Sequence, residues 1–434
     1  MSGALCIDFG TSSIRIVRRM PNYSRLVLEI GRHNKSTLDS VSIQSAIHID
    51  SECKYIRFGE RAIIARRNSA ECALYEASPK LWLGKPDELS EPAVSGMLLS
   101  REDVLTGLLA NGLAAAVRVM DIGERTLRAL ELRVAHPVWP TSVSQGACAA
   151  LSRMLNKAKR MVFDDDWATV TARKLKDALP REMTKDDRAG LVLEPIAAAV
   201  ELLPLTANVR RVCLLVDVGA GTTDIGLFEG VAPDVNVNVS QKLYLMGQPI
   251  SLFKAGDYLD SIVLEEFVSK KSKLNQAQLA ELKFDIRRLK ETIFTVGYAQ
   301  AAGARVSQDD VSSSVGANDL VLEIRATIQQ LLDNEKTRIS SYLGAQVNRM
   351  HALEIVMSGG GAGIPFLCEA LSKDFALGHL KLPVRLIDSA EVDVPNLYGA
   401  SHERLAVALG GASERYEQCQ HERPELRTIR RGSY

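Results

Sequence analysis

The sequence predicts an α/β fold built from two related halves, and two observations predict it. One is the stretch Val216-Asp217-Val218-Gly219-Ala220-Gly221-Thr222-Thr223-Asp224-Ile225-Gly226, preceded by the apolar run Val212-Cys213-Leu214-Leu215. Such a run, bounded by turn formers, fits a strand covered on both faces. It ends in an acidic residue and a glycine turn, where Gly219 and Gly221 carry no Cβ and let the chain aim its amides at an oxyanion. Thr222 and Thr223 add hydroxyl donors, and after Asp224 a strand pattern resumes at Ile225-Gly226-Leu227-Phe228. The order is strand, phosphate turn, strand, whereas a Walker or Rossmann loop runs into a helix and uses its dipole. The other observation is a second copy. Leu5-Cys6-Ile7-Asp8-Phe9-Gly10-Thr11-Ser12-Ser13-Ile14-Arg15-Ile16-Val17 repeats apolar strand, Asp, glycine turn with hydroxyls, and apolar strand.

Each half therefore offers a strand-ending carboxylate, Asp8 or Asp217, and an anion-binding turn to a shared cleft. That pairing suits a magnesium nucleotide, because hard Mg²⁺ keeps most of its waters and takes few carboxylates. The 434 residues, 46% hydrophobic and 24% charged, are enough for a full globular core. Lys plus Arg and Asp plus Glu both number 53, so no global field draws nucleic acid or an anionic membrane. The 7 cysteines show no paired short spacing, which argues against a zinc site or disulfide framework and for a reducing compartment. Cys6 and Cys213 lie inside the apolar runs, where cysteine acts as a small hydrophobe. The first strand starts at Leu5, leaving no room for a signal peptide, and no apolar stretch is long enough to span a membrane. A cytoplasmic location is expected.

Two further motifs follow the hairpins: Leu193-Glu194-Pro195-Ile196-Ala197-Ala198-Ala199 and Ile355-Val356-Met357-Ser358-Gly359-Gly360-Gly361-Ala362-Gly363-Ile364-Pro365. In order and spacing the four motifs resemble the nucleotide-binding domain of the Hsp70 chaperones, within the actin, Hsp70 and sugar-kinase ATPase superfamily, and the resemblance covers nearly the whole chain. It implies a two-lobed actin/Hsp70-like ATPase fold of duplicated ribonuclease H-like half-domains. Lobe I would span 1–207 with an inserted subdomain at about 31–99, and lobe II 208–412 with one at about 246–319, residues 395–412 returning to lobe I. The resemblance also implies Mg-ATP between the turns, with Gly10, Thr11, Ser12 and Ser13 on one side and Gly219, Ala220, Gly221, Thr222 and Thr223 on the other. Asp8 and Asp217 would hold Mg²⁺ through water, and Glu194 would orient the attacking water. Ala197 to Ala199 would let helices of the two halves approach, and Gly359, Gly360 and Gly361 would line the adenosine.

Taken in order, residues 31–99 show a short strand at 45–49 and a helix at 60–68. The family's phosphate-contacting lysine falls on Ile63, which implies slow hydrolysis, because such a group stabilises developing charge in the transition state. Arg61 or Arg15 would be the substitutes, Arg15 standing where actins carry a phosphate-binding lysine. An amphipathic helix at 103–120 leads to a strand at 130–135 closed by His136-Pro137, then to helices at 144–160 and 167–179, with Asp164-Asp165-Asp166 as a solvated helix start. Glu194 stands in an apolar segment, where a buried carboxylate needs a reason, and Pro195 suits a first helical turn.

Beyond the central hairpin, Gly256-Asp257-Tyr258-Leu259-Asp260 resembles an Hsp70 stretch that opens a helix, here reaching about 271; a second helix covers 276–295, with Ile286, Leu289, Ile293 and Val296 at helical spacing. The family brackets adenosine with a glutamate and, three residues on, a lysine. Lys290 fits the lysine, Arg287 stands in place of the glutamate, and both ATP and GTP stay open. Residues 303–319, rich in Gly, Ser and Asp, read as a mobile loop before a helix at 319–342, a strand at 354–357 and a helix at 365–374. Tyr398-Gly399-Ala400 and Ala406-Val407-Ala408-Leu409-Gly410-Gly411-Ala412 both resemble the second connecting motif. The later match is favoured, with Ser401 capping a helix at 402–409. Asp393 would be a cleft carboxylate under the earlier one. Residues 413–434 read as a flexible tail, too short for the peptide-clasping domain of the chaperones.

Three function classes follow. The first is an Hsp70-like ATP-binding protein, a slow ATPase whose lobe closure regulates an unknown protein partner. The second is an actin-like filament-forming ATPase, which would self-assemble. The third is a small-molecule kinase of the sugar-kinase branch, although no sugar-binding acidic pair stands beside the first hairpin.

Overall fold

A computed structural model describes residues 3–22, 24–28, 41–69, 71–163, 166–180, 189–203, 211–231, 242–271, 274–344, 352–387 and 402–420. The first half opens with β1 (Ala4–Phe9), β2 (Ser13–Arg19), β3 (Arg25–Val27), β4 (Ile43–Gln44), β5 (Ile47–Ile49), β6 (Tyr55–Phe58), α1 (Glu60–Asn68) and β7 (Leu74–Glu76). Two 3-10 segments, Pro79–Gly84 and Pro86–Ser90, precede α2 (Arg101–Val119), α3 (Glu124–Ala129), β8 (Glu131–His136) and α4 (Thr141–Met161). Then come β9 (Thr169–Thr171), α5 (Ala172–Ala178), β10 (Gly190–Leu193) and α6 (Glu194–Leu202).

The second half runs β11 (Arg211–Val218), β12 (Thr223–Val231), β13 (Lys242–Leu252), α7 (Gly256–Ser269), α8 (Gln276–Val296), β14 (Tyr298–Ala301), β15 (Ala304–Ser307), α9 (Gln308–Ser312) and α10 (Val315–Asn334). It continues with α11 (Lys336–Gly344), β16 (Leu353–Ser358), α12 (Pro365–Leu371), β17 (Phe375–Leu377), β18 (Leu380–Leu382), β19 (Val384–Ile387), α13 (His402–Ala412) and α14 (Arg415–Gln420).

The fold is α/β with mixed sheets. One main sheet has the order β10-β8-β1-β2-β3, with β4 also on β2, and the other β13-β12-β11-β16-β19. In each, the first strand pairs antiparallel with the next and parallel with a later one, β1 with β2 and β8, β11 with β12 and β16. The two sheets thus follow the same path. Their first strands are buried along almost their whole length, as aliphatic runs without alternation require.

Between the sheets, all nine residues of α6 are buried. It lies against α13, where a Cβ on Gly410 would overlap the Ala197 carbonyl oxygen. The small residues of both helices let their backbones meet, as expected of the alanine series. One cluster of buried side chains joins both sheets here, from Val192 and Ile196 to Leu215, Phe228 and Ala406.

Elsewhere the segments differ from expectation in ways with local causes. The expected helix at 167–179 starts as β9, an edge partner of β6, and becomes helical only where Thr171 caps α5. Strand β13, placed by the sequence in the second inserted segment, pairs with β12 in the main sheet. The expected mobile loop at 303–319 is β15, α9 and the start of α10. Its serines are caps: Ser307 forms a capping box with Asp310, and Ser314 accepts from the Ala317 N–H. The tail expected from 413 begins with α14, whose Tyr416 and Cys419 are buried. Residues 421–434 lie outside the described residues, as do Asp164, Asp165, Asp393 and the motif at 398–400. No helix among the described residues is long and apolar enough to cross a membrane, and all seven cysteines are free.

Candidate functional site

The site is built where the two hairpins end. Asp8 stands opposite Arg15 in the β1–β2 register, and Asp217 stands opposite Asp224 in β11–β12. The same position of the duplicated hairpin thus carries a cation in one copy and a second carboxylate in the other. Arg15 Nη1 donates to Asp8 Oδ2 at 3.3 Å. Asp217 accepts from Ser358 Oγ at 2.8 Å, and Asp224 accepts from Thr222 Oγ1 at 2.8 Å and from Ser251 Oγ.

The turns are tight because glycine is needed at their bends. Gly10 donates to the Ser13 carbonyl at 3.0 Å and Gly219 to the Thr222 carbonyl at 2.9 Å. A Cβ on Gly10 would lie 2.6 Å from the Ser13 oxygen, and one on Gly221 would lie 2.7 Å from Thr11 Oγ1. The second of these contacts brings the two turns against each other, Thr11 of one beside Gly221 of the other. Ser12 fixes the first turn through its carbonyl, which accepts from Ser45 N at 2.9 Å, while Ser13 is buried. The Ala220 carbonyl accepts from Asp257 N at 2.6 Å, and the Thr223 hydroxyl donates to the Lys254 carbonyl at 2.8 Å.

Glu194, first residue of α6, is buried and contacts the Lys80 ammonium closely. Lys80 is a residue that sequence reasoning missed. The lysine position falls by resemblance on Ile63, which the structure places half-buried on α1, while Lys80 comes from the 3-10 segment beyond it. Its signal was available: a lysine flanked by Pro79, Leu81, Trp82 and Leu83 is a charge in an apolar stretch.

Asp224 and Ser358 were also missed, the first because a strand-start aspartate reads as a turn cap, the second because its partner Asp217 comes from another strand. Burial raises Asp217 to about 7, with the neighbouring Asp224 and Asp8 adding to the shift. Burial also raises Asp224 above the usual carboxylate range. Burial pushes Glu194 up while Lys80 pulls it down; for Lys80 burial acts downward, but Glu194 and Asp8 raise it overall. The raised ammonium and the close contact favour the ion pair at neutral pH.

The remaining expected residues divide. Gly359, at φ +80°, lies against Asp217 and Val218, and Gly361 donates to the Val218 carbonyl at 3.0 Å, so this turn abuts the end of β11; Gly360 faces open space. Lys290 is engaged elsewhere, by Asp260 at 2.8 Å and the Gly256 carbonyl at 2.7 Å, behind the second turn. Arg287 reaches from α8 to the first half, donating to the Ala77 carbonyl at 3.0 Å and Ser78 Oγ at 2.6 Å while holding Asp257 at 2.9 Å.

Four carboxylates, Asp8, Glu194, Asp217 and Asp224, therefore face two cations, Arg15 and Lys80. The excess of negative charge fits one divalent cation. Among the described residues no group of three or more His, Cys, Asp or Glu is disposed to hold a metal directly. Thr11 and Thr222, one from each turn, line a cavity together with Lys80. No family model matches the chain.

Proposed function

We propose that the chain is an Mg-ATP-binding protein with the two-lobed actin/Hsp70-like fold, an ATPase whose lobe closure acts on a protein partner. One observation carries this reading: two copies of a strand–Asp–glycine turn converge on a single cluster that also holds Lys80 and Glu194. The shared path of the two main sheets supports a duplicated half-domain, and the close α6–α13 packing supports a hinge between halves.

In this reading the amides and hydroxyls of both turns bind the polyphosphate. Lys80 lies on the transferring phosphoryl group, where a fixed charge stabilises the transition state without reorganisation. Glu194 holds the attacking water and accepts its proton, a role suited to a carboxylate whose affinity for protons burial has raised. Mg²⁺ bound at Asp8 and Asp217 would neutralise phosphate charge. Gly360, with open space beside it, would leave room for the nucleoside near the end of β11. Arg287, bonded across to Ser78, ties the halves together and would be released when they part.

The test is thermal unfolding with and without Mg-ATP and Mg-GTP. At a hundredfold excess over Kd, binding adds about 2.7 kcal/mol and should raise Tm by several degrees. Asp8→Asn should abolish the rise, and Glu194→Ala should keep it while losing phosphate release. No rise with either nucleotide overturns the reading.

A further inference from the structure

A cavity of about 230 Å³ opens beside the carboxylate–lysine cluster. Thr11 and Thr222, one from each phosphate turn, line it together with Lys80 and Lys85. The rest of its wall is apolar, with Pro137 and Trp139 from the segment after β8, and Leu81 and Phe253. Leu81 and Phe253 remain 49% and 57% exposed, although large apolar side chains at a rim cost free energy unless something covers them. Trp139 is held in place, stacked on His136 with ring centroids 5.0 Å apart and planes 7° from parallel. His136 Nδ1 is in turn 2.8 Å from the Pro137 carbonyl oxygen.

The nucleotide reading accounts for Thr11, Thr222 and Lys80 at one end of this cavity and leaves its apolar wall unexplained. Phosphate has no use for Trp, Phe and Leu walls, and neither Lys290 nor the Gly359–Gly361 turn lines it. The charge in the lining is all of one sign: Lys80 and Lys85 face it, while their partners Glu194 and Glu88 do not. The volume, below that of a drug-sized pocket, suits about one ring and one anionic group.

We propose that this cavity binds a small aromatic anion, its ring against Trp139 and between Leu81 and Phe253, its anionic group toward Lys80, Lys85 and the Thr11 hydroxyl. The anionic end of this pocket is the phosphate end of the proposed nucleotide site, and the apolar rim goes beyond that reading. What rests on that reading is one consequence: a terminal phosphate on the turns would compete for Lys80, Thr11 and Thr222, so the aromatic anion would bind the ADP-loaded protein and be displaced by ATP.

Phenyl phosphate, titrated into the full chain by calorimetry and by tryptophan fluorescence, tests this against inorganic phosphate. Phenyl phosphate should bind at least about tenfold more tightly than inorganic phosphate, since the ring adds buried apolar area. Phe253→Ser and Leu81→Ser, at half-exposed positions that leave the fold intact, should each remove most of that margin without changing the affinity for inorganic phosphate. A non-hydrolysable ATP analogue should weaken phenyl phosphate binding and ADP should not. Equal affinity for the two ligands, or a margin that survives both rim substitutions, overturns the proposal. Tight, rim-dependent binding that no nucleotide affects supports the pocket and counts against the nucleotide reading alone.

Discussion

At the scale of single residues, the site is governed by burial of like charge. Asp217 is raised to about 7 in the folded protein, against 3.8 ordinarily. Between those pH values the folded chain keeps a proton that the unfolded chain has lost, so this part of the stability is present below about pH 4 and declines as pH rises through 7. Asp217→Asn should therefore stabilise the ligand-free protein at pH 8, by on the order of 2 kcal/mol, and change little at pH 4. Urea unfolding at the two pH values checks it, and equal effects at both would refute the assignment.

Lys80 gives the opposite sign. Removing one partner of a buried pair leaves the other charge uncompensated, so Lys80→Met should cost about 3–5 kcal/mol, and adding Glu194→Gln should recover much of the loss. If the double variant is no more stable than Lys80→Met, the pair is not coupled as described.

Individual elements show where the sequence was legible and where it was not. Both hairpins, α1 and α13's small-residue face could be read, because turn glycines, strand-ending aspartates and runs of alanine carry local signals. The serines at 307 and 314 misled: their composition suggests a loop, but each accepts a hydrogen bond from a backbone N–H at a helix start. Lys80 was hidden for a different reason. Its apolar flanks mark a charge that burial would have to pair, but its partner Glu194 is 114 residues away, so the pairing itself leaves no local pattern.

Two glycines test the element-level packing. Gly410→Ala drives a methyl into the Ala197 carbonyl and should cost about 1–3 kcal/mol or more, whereas Gly360→Ala, with no atom within 4 Å of the new methyl, should leave stability within about 0.5 kcal/mol. Equal unfolding midpoints for these two variants would contradict the close α6–α13 contact.

For the whole molecule, the described residues join the halves at α6 and α13, at the two turns, and at a rim where α8 lies against residues 75–78. At the rim, the Tyr75 and Phe284 rings meet at a tilt of 51° with centroids 5.7 Å apart, Arg67 lies over Phe284 at 5.6 Å, and Arg287 bonds to Ala77 and Ser78. The rim contacts are half-exposed and individually weak, so Arg287→Ala should lower stability by only about 1 kcal/mol. In stopped flow it should nevertheless release a fluorescent ATP analogue several-fold faster, and unchanged release would show that the rim does not gate the cleft.

The central claim is that both turns grip the polyphosphate of one nucleotide, and calorimetric titration of the chain with Mg-ATP, Mg-ADP and Mg-AMP tests it most directly. One ATP per chain, ADP binding comparably, and AMP weaker by about a hundredfold or more are expected, because AMP lacks the phosphates that the turns hold. AMP binding as tightly as ATP, or no binding of any of the three, would contradict it.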